Sequence, residues 1–249
     1  MKLRIGLLQM HVELGKPDVN YAHALELMEK AMKHEPDILV LPETWNVGFF
    51  PAEHLDELAD KNGERTQEML STFAKNNNVN IVGGTVAAKI GNDILNRSYV
   101  FNREGKIAET FDKIHGFSLS GEPGYFRMGD HLAHFNLDGV ACSMAVCYDI
   151  RFPEFARTMV LDPELIRREA LMGVDLFFVP AAWPKIRNTH WVRLNQARAI
   201  ENQFYLAAVN QAGRSGGLEY AGNSLLLDPW GEEICRLEDE EEIAFGRID

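Results

Sequence analysis

Cys147 ends the apolar run Val140-Ala141-Cys142-Ser143-Met144-Ala145-Val146 and opens the stretch Tyr148-Asp149-Ile150-Arg151-Phe152-Pro153-Glu154. The run is short, uncharged and preceded by Asp138-Gly139, so it reads as a buried strand. Pro153 and Glu154 then begin a helical pattern. A thiol at a strand-to-helix junction sits at the mouth of a sheet, where turn N–H groups can stabilise a thiolate or an oxyanion. A lone cysteine in an apolar strand is ordinarily a small buried hydrophobe, and Cys142 and Cys235 read that way. Cys147 becomes a nucleophile only if a base is within reach.

Two other segments end as the Cys147 strand does. In Asp37-Ile38-Leu39-Val40-Leu41-Pro42-Glu43 four apolar residues form a buried strand, Pro42 ends it and Glu43 follows at once. In Ile107-Ala108-Glu109-Thr110-Phe111-Asp112-Lys113 alternate residues suit a half-buried strand that breaks at Gly116. Alone, Glu43 reads as a helix-start carboxylate and Lys113 as a surface charge. Together a carboxylate, an ammonium and a thiol, each just past a strand, supply what cysteine attack on an amide needs: a base, an oxyanion stabiliser and a nucleophile. His115 raises the alternative of a Cys–His pair, which Glu43 makes unnecessary.

Leu41-Pro42-Glu43, Asp112-Lys113-Ile114-His115 and Cys147 to Glu154 resemble the three signature segments of the nitrilase superfamily of carbon–nitrogen hydrolases, in order and in spacing. The resemblance runs from Ile5-Gly6-Leu7-Leu8-Gln9 to Asp228-Pro229-Trp230-Gly231. It implies one carbon–nitrogen hydrolase domain over residues 1–249 and an α/β fold, a four-layer α-β-β-α sandwich. By the same resemblance Glu43 is the general base, Lys113 supports the tetrahedral intermediate, Cys147 is the nucleophile and Glu122 is a second glutamate near the lysine. No cofactor and no metal are implied. Tyr148-Asp149 after the cysteine looks like the amidase branches. Ala181-Ala182-Trp183-Pro184 and His190-Trp191 are similar to the omega-amidases, which act on 2-oxoglutaramate or 2-oxosuccinamate. Tyr148, Trp183, His190 and Trp191 are therefore expected at a small substrate pocket with an aromatic wall and few charges. Removal of a carbamoyl group from an amine or amino acid would use the same catalytic set. A non-catalytic binding protein on the same fold has no chemical need for it. The family also implies a homodimer, with Met159–Arg168 near its interface. That segment looks longer here than in the family, and the usual tail beyond Asp249 is absent from the sequence.

Composition adds exclusions. A net charge of −12 argues against nucleic-acid or anionic-membrane partners. No apolar stretch approaches the ~20 residues of a membrane span. Three cysteines make no disulfide framework, and Cys142 and Cys147 match no zinc-ligand spacing. With Leu3 to Gln9 entering a strand directly, a cytoplasmic protein is expected. No phosphate-cradling loop or Gly-x-Ser-x-Gly elbow occurs, and Gly83-Gly84 and Gly216-Gly217 read as turns.

The elements that must position these residues alternate along the chain. Strands are expected at Leu3–Gln9, Ile38–Leu41, Asn80–Thr85, Leu95–Phe101, Ile107–Asp112, Val140–Val146, Leu176–Ala181, Phe204–Asn210, Ser224–Leu227, Glu232–Leu237 and Ala244–Arg247. Helices are expected at Asn20–Lys33, Thr66–Lys75, Pro153–Met172 and Trp191–Asn202. Such alternation indicates a layered α/β fold. Glu238-Asp239-Glu240-Glu241-Glu242 reads as a solvated hairpin turn between the last two strands.

Overall fold

Successive side chains of a strand point to opposite faces, so a strand apolar at every position must be covered on both sides. The computed structural model, which describes residues 2–49, 53–161 and 173–249, shows how this is met. Ile5, Leu7, Ile38 and Val40 enter a core shared with a second sheet, whereas the alternate residues Leu8, Leu39 and Leu41 enter a core beneath helices.

The strands are β1 (Leu3–Gln9), β2 (Ile38–Val40), β3 (Asp60–Lys61), β4 (Asn80–Val82), β5 (Val86–Ile90), β6 (Asp93–Phe101), β7 (Ile107–Asp112) and β8 (His134–Leu137). They continue with β9 (Val140–Met144), β10 (Leu176–Ala181), β11 (Tyr205–Asn210), β12 (Arg214–Ser215), β13 (Leu218–Glu219), β14 (Leu225–Leu227), β15 (Glu233–Arg236) and β16 (Glu242–Ile248). The described helices are α1 (Pro17–Met32), α2 (Leu55–Leu58), α3 (Glu64–Asn77), α4 (Pro153–Leu161) and α5 (Asn188–Asn202). One sheet runs β16-β1-β2-β4-β6-β5-β3 with β7 paired to β6, and the other runs β15-β14-β11-β10-β9-β8. Tyr21, Ala24 and Met28 of α1 and Leu70, Phe73 and Ala74 of α3 cover the first sheet. Phe155, Ala156 and Met159 of α4 and Trp191 and Ala199 of α5 join the core of the second. The order of layers is α-β-β-α, as the family resemblance implied.

Two differences from the sequence reading come first. The run Asn80–Thr85 is not one strand, because Gly83-Gly84 breaks it after Val82. Gly84 has φ +60°, and a Cβ there would fall 2.0 Å from the Pro42 carbonyl oxygen. Only glycine permits that approach, through which the Thr85 N–H reaches the Pro42 oxygen (3.0 Å) and props the segment that ends in Glu43. The short strand β8 escaped the sequence reading because four residues carry little period. The expected helix from Pro153 is described as far as Leu161, and the remainder, with most of Met159–Arg168, lies outside the described residues.

The acidic stretch is not a hairpin turn. β15 pairs with β14 in one sheet and β16 with β1 in the other, so Glu238–Glu242 carries the chain between sheets. Gln9 Nε2 donates to the carbonyls of Glu238 (2.7 Å) and Glu240 (2.5 Å). The Glu241 carboxylate accepts from the His11 N–H (2.8 Å) and lies 2.7 Å from His23 Nε2 on α1. The hydrogen bond to Glu241 raises the His23 pKa; burial opposes the ionised form of Glu241, yet His23 and His11 hold its pKa below the ordinary value. The histidine contribution is full below its ordinary value of 6.5 and fades as pH rises through the raised folded value. The glutamate contribution is full above 4.5 and fades as pH falls. A partly exposed pair of this kind contributes about 0.5 kcal/mol. His23→Gln should therefore lower Tm by about 1–2 °C near pH 6 and leave it unchanged at pH 9, checked by thermal melts at the two pH values.

Candidate active site

Ligands of open α/β sheets gather outside the carboxyl ends of the strands, and here such ends from both sheets meet. Glu43 follows β2, Lys113 follows β7, Cys147 follows β9, Ala182 follows β10 and Gln211 follows β11. Glu43, Lys113 and Glu122 are completely buried. Lys113 Nζ donates to Glu43 Oε1 (2.9 Å) and to both oxygens of Glu122 (2.8 and 2.9 Å). Glu43 Oε1 also accepts from Asn96 Nδ2 (2.8 Å), and Oε2 accepts from the Ala182 N–H (2.8 Å). Glu122, in a single turn of 3₁₀-helix, accepts the Phe117 N–H at Oε2 (2.7 Å). Gln211 Nε2 fixes the Glu43 carbonyl (2.7 Å). Every group hydrogen-bonded to the Glu43 carboxyl is a donor, so both of its oxygens serve as acceptors.

Cys147 lies beside this cluster at the start of a short 3₁₀ turn, 6% exposed, with φ +47°. A left-handed backbone at a residue with a side chain is strained, and here it turns the thiol out of the strand direction. Burial first, then the charge of Glu43, pushes the thiol pKa well above its ordinary value, against partial opposition from Lys113 and the Ala182 N–H. The resting sulfur is a thiol, not a preformed thiolate. For Lys113 burial pulls the pKa down, but Glu43, Cys147 and Glu122 outweigh it and keep the ammonium charged. The cluster thus offers a carboxylate to move protons, a thiol to form a covalent bond and a desolvated ammonium to hold developing negative charge.

A cavity of about 310 Å³ opens over Cys147. Phe49, Phe117, Tyr148 and Trp183 give it an aromatic wall. The expectation of few charges needs correcting, because Arg151 and Arg187 also line it. The Arg151 guanidinium lies over the Trp183 ring (5.0 Å) and that of Arg187 over Phe117 (5.2 Å), contacts that hold a cation without neutralising it. No carboxylate is among the described lining residues. The structure brings Tyr148 and Trp183 to the cavity but not the other two expected residues. Trp191 is wholly buried behind Trp183 (5.7 Å between rings), its Nε1 donating to the Asn223 carbonyl. His190 is exposed, outside the described lining, with Nδ1 3.0 Å from Arg151 Nη2.

Asn96, Ala182, Gln211, Arg187 and Tyr220 were not singled out from sequence. Tyr220 is buried, and its phenol is pushed well above the ordinary range, first by burial and then by Glu43 and Cys147, so it stays protonated beside the pair. Ala182 stood in the sequence only as part of the segment Ala181-Ala182-Trp183-Pro184, and Arg151, also at the cavity, only as part of the motif that carries Cys147. Among the described residues no His, Cys, Asp and Glu cluster is arranged to hold a metal ion, and no helix is long and apolar enough to cross a membrane.

The family model for carbon-nitrogen hydrolases matches residues 4–249. The chain belongs to that family. This carbon-nitrogen hydrolase is 41% identical over 249 residues to the 2-oxoglutaramate amidase of Bacillus subtilis, covering all of this chain and 92% of that protein. It is 31% identical over 263 residues to an omega-amidase of Danio rerio, covering all of this chain and 88% of the relative. Among solved structures, XC1258 of Xanthomonas campestris, a CN-hydrolase superfamily protein with an arsenic adduct in its active site, superposes with a TM-score of 0.91. It is 30% identical, and the match covers all of this chain and 91% of that one.

Removing one partner of a buried ion pair strands the other charge at a cost of about 3–5 kcal/mol. Lys113→Met leaves Glu43 and Glu122 without their shared cation and should destabilise the hydrolase by about that amount, measured by denaturant unfolding. The loss should shrink as pH falls, because one carboxyl of the pair can then bind a proton.

Proposed function

We propose that this carbon-nitrogen hydrolase is an omega-amidase, releasing ammonia from the terminal carboxamide of a 2-oxo acid amide such as 2-oxoglutaramate or 2-oxosuccinamate. The observation that carries the reading is the buried Glu43–Lys113–Glu122 cluster beside Cys147 at the floor of a cavity whose described lining holds two guanidiniums and no carboxylate. The names of the Bacillus subtilis and Danio rerio relatives support the substrate.

In this mechanism Glu43 removes the thiol proton as sulfur attacks the amide carbon. Lys113 and the Tyr148 N–H hold the oxyanion. Lys113 has an N–H for this purpose if Glu122 shares one hydrogen between its two oxygens and Glu43 takes another. Loss of an oxyanion donor typically costs ~100- to 1000-fold in rate. Glu43 passes its proton to the departing ammonia, leaving a thioester on Cys147. It then takes a proton from water, which attacks the thioester carbon, and returns that proton to the departing sulfur, freeing the acid and the Cys147 thiol. Glu122 orients Lys113. Tyr148 and Trp183 flank the acyl chain, and Arg151 and Arg187 favour its carboxylate, which a chain of net charge −12 would otherwise repel. His190 acts through Arg151 and Trp191 through the packing of Trp183, neither as a direct substrate contact.

An N-carbamoyl amino acid presents the same carboxylate, and carbon dioxide released alongside ammonia identifies that alternative. A purely binding role would bury three ionised side chains without chemical use, at a desolvation cost of several kcal/mol per ion. The core shared by both sheets supports one domain over residues 1–249. Exposed Ile200 and Trp230 support a homodimer, and three free cysteines support a reducing, cytoplasmic setting.

Ammonia release from 2-oxoglutaramate, with Cys147→Ala as the paired variant, tests the proposal. Release that vanishes in the variant is expected; release that persists in it would remove Cys147 as nucleophile, and none in the folded parent would remove the substrate. A hydrogen bond to a charged group contributes about 1.5–3 kcal/mol. Arg187→Leu should accordingly lower kcat/KM for 2-oxoglutaramate about 10- to 100-fold, while a short neutral amide hydrolysed by the parent is affected far less.

A further inference from the structure

Asp149 is completely buried two residues after Cys147, and both of its oxygens are engaged. Oδ2 accepts the N–H of Val146 (2.8 Å), while the Asp149 N–H donates to the Val146 carbonyl (3.0 Å). These two bonds close the turn in which Cys147 adopts φ +47°. A non-glycine residue in that region is strained and keeps the conformation only when its surroundings enforce it. Oδ1 faces a different part of the chain. It accepts the backbone N–H of His115 and lies 2.8 Å from His115 Nδ1, also at a bonding distance of 2.8 Å for the N–H. One carboxylate therefore joins the segment that carries Lys113, after a strand of the first sheet, to the turn that carries Cys147, after a strand of the second.

The His115 ring is fixed from its other sides. It stacks on Phe152 (3.9 Å between centroids, 18° between planes) and meets Phe155 edge-on (5.4 Å, 82°). With Nδ1 committed to Asp149, the ring is built for orientation, and Glu43 already faces the thiol. We propose that His115 and Asp149 form a positioning pair that fixes the distance between the Lys113 ammonium and the Cys147 sulfur. The role rests on the hydrolase reading above and deepens it. His115 touches no reacting atom. Its Nδ1–H donates to Asp149 in the neutral tautomer that carries hydrogen there and in the charged ring alike, so the contact does not depend on the ring acting as a base.

Two substitutions separate the hydrogen bond from the ring. His115→Phe keeps an aromatic face for Phe152 and loses the donor. His115→Asn loses the ring and keeps a donor at nearly the position of Nδ1. The readouts are kcat and KM for ammonia release from 2-oxoglutaramate and the rate of Cys147 alkylation by iodoacetamide. Loss of a charge-assisted bond that sets an active-site distance predicts a kcat about 10- to 100-fold lower in His115→Phe, with KM within about twofold of the parent. His115→Asn should retain kcat within about threefold. Alkylation should be faster in His115→Phe, as the turn loosens around a buried thiol, and parent-like in His115→Asn. Parent-like kcat in His115→Phe overturns the proposal. So does an equal loss in both variants, the result expected of a general base or of ring packing alone. If the parent releases no ammonia, the substrate reading fails, and alkylation still decides: equal rates in all three proteins overturn the pair, and a faster rate confined to His115→Phe upholds it.

Discussion

The ammonium of Lys113 has no access to water, and two buried carboxylates meet it within 3 Å. Alone, any of the three charges would be too costly to bury, and each would titrate to its neutral form. Together they leave one net negative charge, which Asn96, the Ala182 N–H and the Phe117 N–H spread over further donors. The rest of the molecule is organised around keeping these donors in place. Asn96 comes from β6, Lys113 from the end of β7 paired to it, and Ala182 from the end of β10 in the facing sheet. The two sheets cannot shift past one another without breaking bonds in the cluster.

The same burial tunes the sulfur. The ammonium of Lys113 favours a thiolate, but desolvation and the charge of Glu43 outweigh it and push the Cys147 thiol pKa well above its ordinary value. In the proposed reaction this neutral thiol beside a carboxylate would need proton transfer to become a nucleophile. The cavity above has the opposite character. Arg151 and Arg187 rest on aromatic faces and meet no carboxylate in the described lining, so the opening attracts anions in a chain whose formal charge is −12.

Strands and their alternation could be read from the sequence wherever they were long and apolar. Leu3–Gln9, Ile107–Asp112 and Leu176–Ala181 fall at the expected bounds, because buried parallel and half-buried antiparallel strands impose their period on side chains directly. Reading failed where a partner decided the outcome. Gly83-Gly84 looked like a turn without consequence until the Pro42 carbonyl occupied the space of a Cβ. Glu238–Glu242 looked like a solvated hairpin because nothing local says that β15 and β16 belong to different sheets.

Trp183 and Trp191 make the distinction sharpest. Eight positions apart in sequence, both are buried tryptophans with their indole N–H groups bonded to carbonyls. One lines the cavity and the other lies behind it. By itself the sequence determined the family, the order of the long strands and helices, and the chemical types that stand at three strand ends, since these depend on residue identity and local period. Tertiary structure alone decided which side chains face the cavity, that the sulfur rests protonated, and that Asp149 joins the Lys113 segment to the Cys147 turn. Those outcomes rest on contacts between residues far apart in the chain, from the 34 positions between His115 and Asp149 to the 139 between Glu43 and Ala182, and no local pattern encodes them.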